Sequence, residues 1–183
     1  MIMVMSTEEN KELFAQAVKK LMKKKSLSTI TVSELVDEAQ LSRQTFYRYF
    51  NDKYDLVNWY FKKLCDSSFF LMGKELTLEE ALISKFTFIE NEKLFFSAAF
   101  KSQDYNSLLK YDYNMIYNFY LDWLNEKTKG SVTSEMKVVL KLYCSGSIAL
   151  TQQWATGELD ITKEEIVKDL ILSIPPLLKP YLV

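Results

Sequence analysis

Apolar side chains recur at helical spacing along almost the whole chain, and this periodicity most constrains the fold. Leu13, Phe14, Ala17, Val18 and Leu21, for example, fall on one face of a helix. Only 4 Gly and 3 Pro interrupt 183 residues, whereas an all-β chain needs many turn residues. Aromatic residues make up 14% of the chain, which argues against disorder. The pattern therefore predicts an all-α protein of about nine helices.

The residue inventory argues against most enzymes. The chain has no histidine, which removes the commonest general base and the commonest metal ligand. Cys65 and Cys144 are too isolated to form a disulfide framework or a paired zinc motif, so we expect two reduced, partly buried thiols. Adjacent carboxylates such as Glu79 and Glu80 do not face each other on a helix. We therefore predict a protein that is not an enzyme and that needs no cofactor or metal.

Charge is distributed unevenly along the chain. Residues 1–63 contain 11 Lys+Arg against 8 Asp+Glu, and the remaining 120 residues contain 12 against 16. The amino-terminal part is thus basic and the remainder acidic, which favours an anionic partner for the amino-terminal part only. The apolar opening Met1–Met5 has no basic leader and is far shorter than a membrane span. We therefore expect no membrane association and a cytoplasmic location.

Two short helices joined by a tight turn are predicted between residues 31 and 50. Thr31 and Glu34 have the spacing of a capping box, in which each side chain satisfies the other residue's backbone amide. Ser42 is placed to cap a second short helix that begins at Arg43, and Asp52 to cap a longer third one. Helices on both sides brace this pair. The arrangement is that of a helix-turn-helix.

The second short helix has one apolar face and one polar face. Phe46 and Phe50 fall on the face that points to the core. The opposite face carries side chains that hydrogen bond to phosphates and to base edges: an arginine suits guanine, and a glutamine suits adenine. An ordinary solvated helix face is the alternative. The residues of this polar face are Arg43, Gln44, Thr45, Tyr47 and Arg48.

The segment Ile30–Leu56, which reads ITVSELVDEAQLSRQTFYRYFNDKYDL, strongly resembles the DNA-binding domain of TetR/AcrR-type transcriptional regulators. The resemblance covers residues 10–60, and the helix caps, the core positions and the Asp-Lys opening of the next helix all agree. It implies a nine-helix homodimer with a DNA-binding domain at residues 1–52 and a ligand-binding and dimerisation domain at residues 53–183. A second resemblance, to regulators of the dihydroxyacetone kinase type, rests on the form of Arg43–Phe50 and on Trp154–Glu158.

The resemblance assigns roles to individual side chains. It implies that Arg43, Gln44 and Thr45 enter the major groove and that Tyr47, Tyr49 and Lys53 meet the phosphate backbone. Where the family usually has a glycine in the turn, this chain has Gln40, which predicts local strain there. Where the family usually has a small residue before Thr45, this chain has Gln44, which predicts an operator different from that of proteins with glycine at this position. The predicted DNA-binding residues are Thr31, Ser33, Ser42, Arg43, Gln44, Thr45, Tyr47, Arg48, Tyr49 and Lys53.

Aromatic residues are concentrated in the rear part of the chain. Simple core packing explains such a set without any function. The functional interpretation is an apolar pocket whose tyrosine hydroxyls orient a small-molecule effector. The predicted pocket residues are Phe69, Phe86, Phe95, Phe100, Tyr113, Tyr117, Tyr120, Trp123 and Tyr143.

The last two long helices are candidates for a dimer interface. The stretch Val138–Leu150 carries one charge, and its small residues Ser145, Gly146, Ser147 and Ala149 permit close helix approach. A helix buried within one chain is the alternative. Two such helices from each subunit make a four-helix interface around a two-fold axis. The predicted interface residues are Val139, Tyr143, Gly146, Leu150, Trp154, Val167, Leu170, Ile171 and Ile174.

Together these observations predict a sequence-specific, DNA-binding homodimer on a near-palindromic operator. We expect a repressor controlled by a small-molecule effector or by a coregulator protein. An activator of the dihydroxyacetone kinase regulator type is one alternative. A protein-interaction module that does not bind DNA is another.

Overall fold

The computed structural model describes residues 6–182, and these residues form ten helices without a strand. The first four are α1 (Thr7–Met22), α2 (Val32–Ala39), α3 (Arg43–Tyr49) and α4 (Lys53–Asp66). The other six are α5 (Leu78–Asn91), α6 (Lys93–Phe100), α7 (Leu108–Lys127), α8 (Ser134–Thr156), α9 (Lys163–Leu172) and the short α10 (Lys179–Leu182). The predicted all-α class is confirmed. The apolar opening Met1–Met5 lies outside the described residues.

Side-chain caps fix where most helices begin. The predicted capping box at the start of α2 is present, with Thr31 and Glu34 each bonded to the other's backbone amide. A second one, Thr162 with Glu165, begins α9. The last residue of α1 is Met22, and Lys23 to Lys25 follow it. The amides of Lys24 and Lys25 both donate to the Leu21 carbonyl, which ends the regular helix.

One buried cluster joins the helix-turn-helix to the rest of the protein. The rings of Phe14 on α1 and Phe46 on α3 meet edge to face, with centroids 5.2 Å apart. Leu56 and Phe61 of α4 belong to the same cluster, and so does Phe96 of α6. The predicted domain boundary between residues 52 and 53 remains a prediction, but the hydrophobic core continues across it.

A second buried cluster fills the space between α5, α7, α8 and α9. A buried ion pair lies where the two clusters meet: the Lys85 ammonium is 2.8 and 3.0 Å from the two carboxylate oxygens of Asp112 and faces the rings of Phe61 and Phe69. This pair fastens α5 to α7. The two cysteines are fully buried and unpaired, where partial burial was expected, and burial raises the pKa of Cys144 to about 12.

Among the helices formed by residues 6–182, none combines the length and the hydropathy that crossing a bilayer requires.

Candidate nucleic-acid interface

The turn between α2 and α3 is held by backbone geometry and by a cap. Gln40 ends α2 in the left-handed region at φ 55°, and the Leu41 amide then donates to the Val36 carbonyl at 3.0 Å. The Ser42 hydroxyl accepts from the Thr45 amide at 3.0 Å, which begins α3. A non-glycine residue in the left-handed region carries strain, as predicted for Gln40. The turn sets the direction in which α3 leaves α2.

The two faces of α3 differ as the sequence predicted. Phe46 is fully buried and Phe50 is 3% exposed. Arg43, Gln44 and Arg48 are exposed, and Tyr47 is 59% exposed although it is a large aromatic residue. Since Phe46 and Phe50 anchor the helix in the core, the polar face is presented to solvent on a rigid support. The predicted site residues Thr45 and Tyr49 are half-buried at its edges.

Short polar contacts orient the side chains at the start of α3. The Arg43 guanidinium donates to the Ser33 hydroxyl of α2, which ties the two helices together. The Ser42 and Thr45 hydroxyls are 2.9 Å apart. Thr31, at the start of α2, is exposed. The starts of α2 and α3 therefore carry hydroxyl and guanidinium donors of the kind that bind phosphate oxygens and base edges.

Two predicted phosphate-binding residues make contacts within the chain. The Lys53 ammonium donates to the carbonyls of Ser28 and Ile30, at 2.6 and 2.7 Å, and burial lowers its pKa. It thereby holds the loop before α2 against α4. The Tyr49 hydroxyl accepts from the Asn10 amide at 3.4 Å, and this bond lowers the pKa of Tyr49. DNA contacts by both residues remain predictions.

Sequence reasoning missed the support that α1 gives to this face. Asn10 bonds to Tyr49, and the Lys11 ammonium lies 5.9 Å from the Tyr49 ring centroid and 5.4 Å from that of Trp59. The hydrogen bond joins residues 39 positions apart. No local pattern signals a contact at that separation.

The predicted pocket residues lie in more than one part of the structure, and the pocket remains a prediction. Phe69, Phe86, Tyr120 and Tyr143 line a cavity of only about 20 Å³, which fits a single water molecule. The other five predicted residues lie elsewhere. Phe95 and Phe100 pack in the first cluster, and Tyr113, Tyr117 and Trp123 are half-exposed around the second. Helical spacing places aromatic residues on an inner face, but the side chains themselves fill the space between the helices.

The predicted dimer residues divide into buried and accessible ones. Tyr143, Val167, Leu170 and Ile174 are at most 7% exposed within one chain, so they present almost no surface to a partner. Within one chain these side chains pack inward, in the second buried cluster, and their part in a dimer interface remains a prediction. Half-buried positions are Val139, Leu150, Trp154 and Ile171, and Gly146 is exposed.

Exposed apolar side chains outside the predicted set lie on the same two helices. Val138 and Leu142, four positions apart on α8, are 57% and 69% exposed, and Leu172 at the end of α9 is 66% exposed. Gly146 continues the α8 row, and a Cβ atom added there meets no neighbouring atom within 4 Å. We call Val138, Leu142, Gly146 and Leu172 the α8–α9 surface.

Two models of known protein families match most of the chain. Residues 14–59 match the family described as "Bacterial regulatory proteins, tetR family". Residues 77–175, more than half of the chain, match "Transcriptional regulator C-terminal region". A relative from Lactococcus lactis, the HTH-type dhaKLM operon transcriptional activator DhaS, is 37% identical over 51 residues, and the match spans only 27% of the relative's own length.

Solved structures of similar fold extend the comparison to nearly the whole chain. The dihydroxyacetone kinase operon activator DhaS aligns with a TM-score of 0.63 and 18% identity, covering 95% of this chain and 98% of that one. A TetR transcriptional regulator from Streptococcus agalactiae gives a TM-score of 0.66 and 20% identity, with 92% and 94% covered. At these identities the likeness concerns the fold.

Proposed function

The chain belongs to the TetR family of bacterial transcriptional regulators, and from this premise we propose that it works as a homodimer that binds a near-palindromic operator. Two α3 helices then enter successive major grooves about 34–36 Å apart. The observation that carries this proposal is the anchored α3 helix, whose buried phenylalanines hold Arg43, Gln44 and Tyr47 toward solvent.

Each part of the α3 face has a different task in this proposal. The Arg43 guanidinium, held at the Ser33 hydroxyl, offers a planar pair of donors that matches the O6 and N7 atoms of a guanine. Gln44, the next exposed residue, matches an adenine in the same way. Ser42, Thr31 and Tyr47 supply hydroxyl donors to phosphates, which fix the position on DNA without reading its sequence.

Site selection from genomic DNA fragments, followed by fluorescence anisotropy on the selected duplex, tests this proposal. We expect Arg43→Ala to weaken specific binding by about 1–3 kcal/mol and to leave non-specific binding nearly unchanged. The exposed Lys74, in the loop before α5, gives the matched control, because Lys74→Ala removes the same charge outside the helix-turn-helix. Equal affinities of the Arg43→Ala and Lys74→Ala variants would contradict the assignment.

Salt dependence separates this proposal from a module that binds only proteins. A dimer that neutralises several phosphates loses affinity steeply as salt rises, because DNA binding releases counterions. A protein-docking surface has no reason to show such a slope with DNA. A flat salt dependence would therefore favour the protein-interaction module.

For the dimer contact we propose the α8–α9 surface. Two copies related by a two-fold axis can cover the exposed apolar side chains Val138, Leu142 and Leu172 of each chain. Gly146 lies in the same row and leaves room for close approach of a partner helix. Val139, Leu150, Trp154 and Ile171 remain candidates for the margin of this contact.

Sedimentation analysis of Leu142→Glu tests the dimer contact. Because Leu142 is 69% exposed, the substitution leaves the core of one chain intact, and we expect a folded monomer. Leu94→Glu makes the same change at another exposed leucine, on α6, and is expected to remain dimeric. A dimeric Leu142→Glu protein would place the interface elsewhere.

For the direction of regulation we propose repression through occlusion of a promoter, under control of a small-molecule effector or a coregulator protein. Activation is the second candidate, favoured by the relative that is 37% identical over 51 residues, whose name is that of an activator. Transcription in vitro from the selected operator distinguishes the two, since a repressor lowers transcript yield as protein is added and an activator raises it.

A further inference from the structure

A groove of about 680 Å³ lies between α1 and the corner where α5 gives way to α6. Its volume falls within the range of about 300–1,000 Å³ that is typical of small-molecule sites. The core cavity described above has about 20 Å³, so the groove offers far more room than that cavity. Neither α3 nor the α8–α9 surface contributes to its lining.

Three apolar side chains contribute to the lining of the groove. Met22 of α1 and Phe95 of α6 are 8% and 5% exposed and form a fixed base. Leu94, beside them, is 75% exposed, the second-highest value among the exposed large apolar residues of the described chain. An apolar molecule in the groove therefore removes this leucine from water.

Two of the four lysines that line the groove are already paired. Lys19 lies 3.3 Å from a carboxylate oxygen of Glu92, and it also donates to the Tyr60 hydroxyl at 3.1 Å. Lys20 is bonded to Glu38 of α2. These contacts connect α1 to its neighbours and leave no free charge.

The other two lysines give the groove an excess of positive charge. Glu90, the second acid in the lining, pairs with Lys163 at 2.9 Å. Within the described residues, Lys23 and Lys93 have no carboxylate within ion-pair distance.

We propose that this groove binds a small amphipathic anion, a molecule with one carboxylate or sulfonate on an apolar body. The anionic group pairs with Lys23 and Lys93, and the apolar body covers Leu94 and lies on Met22 and Phe95. Binding needs only the groove itself. An effect on DNA affinity, by contrast, rests on the proposed function, because the ligand then bridges α1 of the DNA-binding part and the α5–α6 corner.

Titration of the full chain with anilinonaphthalene sulfonate, an amphipathic anion whose fluorescence rises in apolar sites, tests the proposal without DNA. We expect Lys93→Glu and Leu94→Glu each to weaken binding by about tenfold or more. Lys74→Glu makes the same charge reversal at an exposed lysine outside the groove and should leave binding unchanged. Near-UV circular dichroism confirms that each variant keeps its native packing, since partly folded chains with exposed apolar surface also bind this dye.

Competition with decyl compounds below their micelle concentrations tests the chemical class. Decanoate should displace the dye, whereas decanol and decylammonium, which share the apolar body, should not. Equal dye affinity of Lys93→Glu and Lys74→Glu would overturn the site, and equal displacement by all three compounds would overturn the anionic class. If the wild-type chain binds the dye but binds no DNA sequence specifically, the result would count against the proposed function and not against the groove.

Discussion

The buried pair of Lys85 and Asp112 gives a stability prediction that can be worked out from the structure. The two side chains are 3% and 0% exposed, and Lys85 is the only hydrogen-bond partner of the Asp112 carboxylate among the described residues. Lys85→Met keeps most of the side-chain volume but leaves that carboxylate desolvated and unpaired. Removing one partner of a buried pair costs about 3–5 kcal/mol.

This loss should depend on pH in a defined direction. Burial raises the pKa of Asp112 even beside Lys85, and removal of the lysine raises it further. The folded variant then binds a proton more tightly than the unfolded chain does, so its stability falls as pH rises above about 3.9, the unfolded value. We therefore expect the deficit of Lys85→Met relative to wild type to be smaller at about pH 5 than at about pH 8.

Thermal and urea unfolding at one fixed protein concentration measure this effect. For a chain of this size, 3–5 kcal/mol corresponds to a fall of about 6–20 °C in Tm. Lys62→Met is the matched control, because Lys62 and Asp66 form a pair about half exposed on α4, for which we expect a loss below about 0.5 kcal/mol. A Lys85→Met variant as stable as the control would refute the reasoning that Asp112 is desolvated.

Three further substitutions test individual features of the fold and site. Gln40→Gly should raise the free energy of unfolding by about 1 kcal/mol, because glycine adopts φ 55° without strain; a lower Tm would contradict this. Thr162→Ala removes the cap of α9 and should cost about 1 kcal/mol in urea unfolding, whereas no loss would show that the capping box contributes nothing. Gln44→Ala should relax preference at one operator base pair by about 1–3 kcal/mol, measured by competition between operator variants, and an unchanged preference would exclude Gln44 from base reading.

The sequence was most informative where the signal is local. Capping residues such as Thr31 and Ser42 lie within three positions of the amides they satisfy, so the starts of α2 and α3 were predictable. The apolar and polar faces of α3 were predictable for the same reason. Phe46 and Phe50 are one helical turn apart and lie opposite the polar residues.

The faces of α8 were harder to predict because this helix carries two apolar rows. Leu140 and Tyr143 belong to the inward row and pack against α7 and α9, whereas Val138 and Leu142 form the outward one. Periodicity detects both rows but does not say which of them faces the chain's own core. The pairing of Lys85 with Asp112 could not be predicted from the sequence either. The two residues are 27 positions apart, and only the tertiary fold brings them together.

The first buried cluster explains how an event at the groove can reach the DNA-binding face. Phe61 of α4 contacts both Phe96 and Phe100 of α6, with ring centroids 5.7 and 6.2 Å apart. Phe46, which anchors α3, belongs to the same cluster. Because the core is close-packed, we expect a shift of α6 to displace α4, and with α4 the helix-turn-helix. A ligand changes DNA affinity only if it binds the two resulting arrangements unequally, and a groove formed by α1 and α6 together changes shape when those helices move relative to each other.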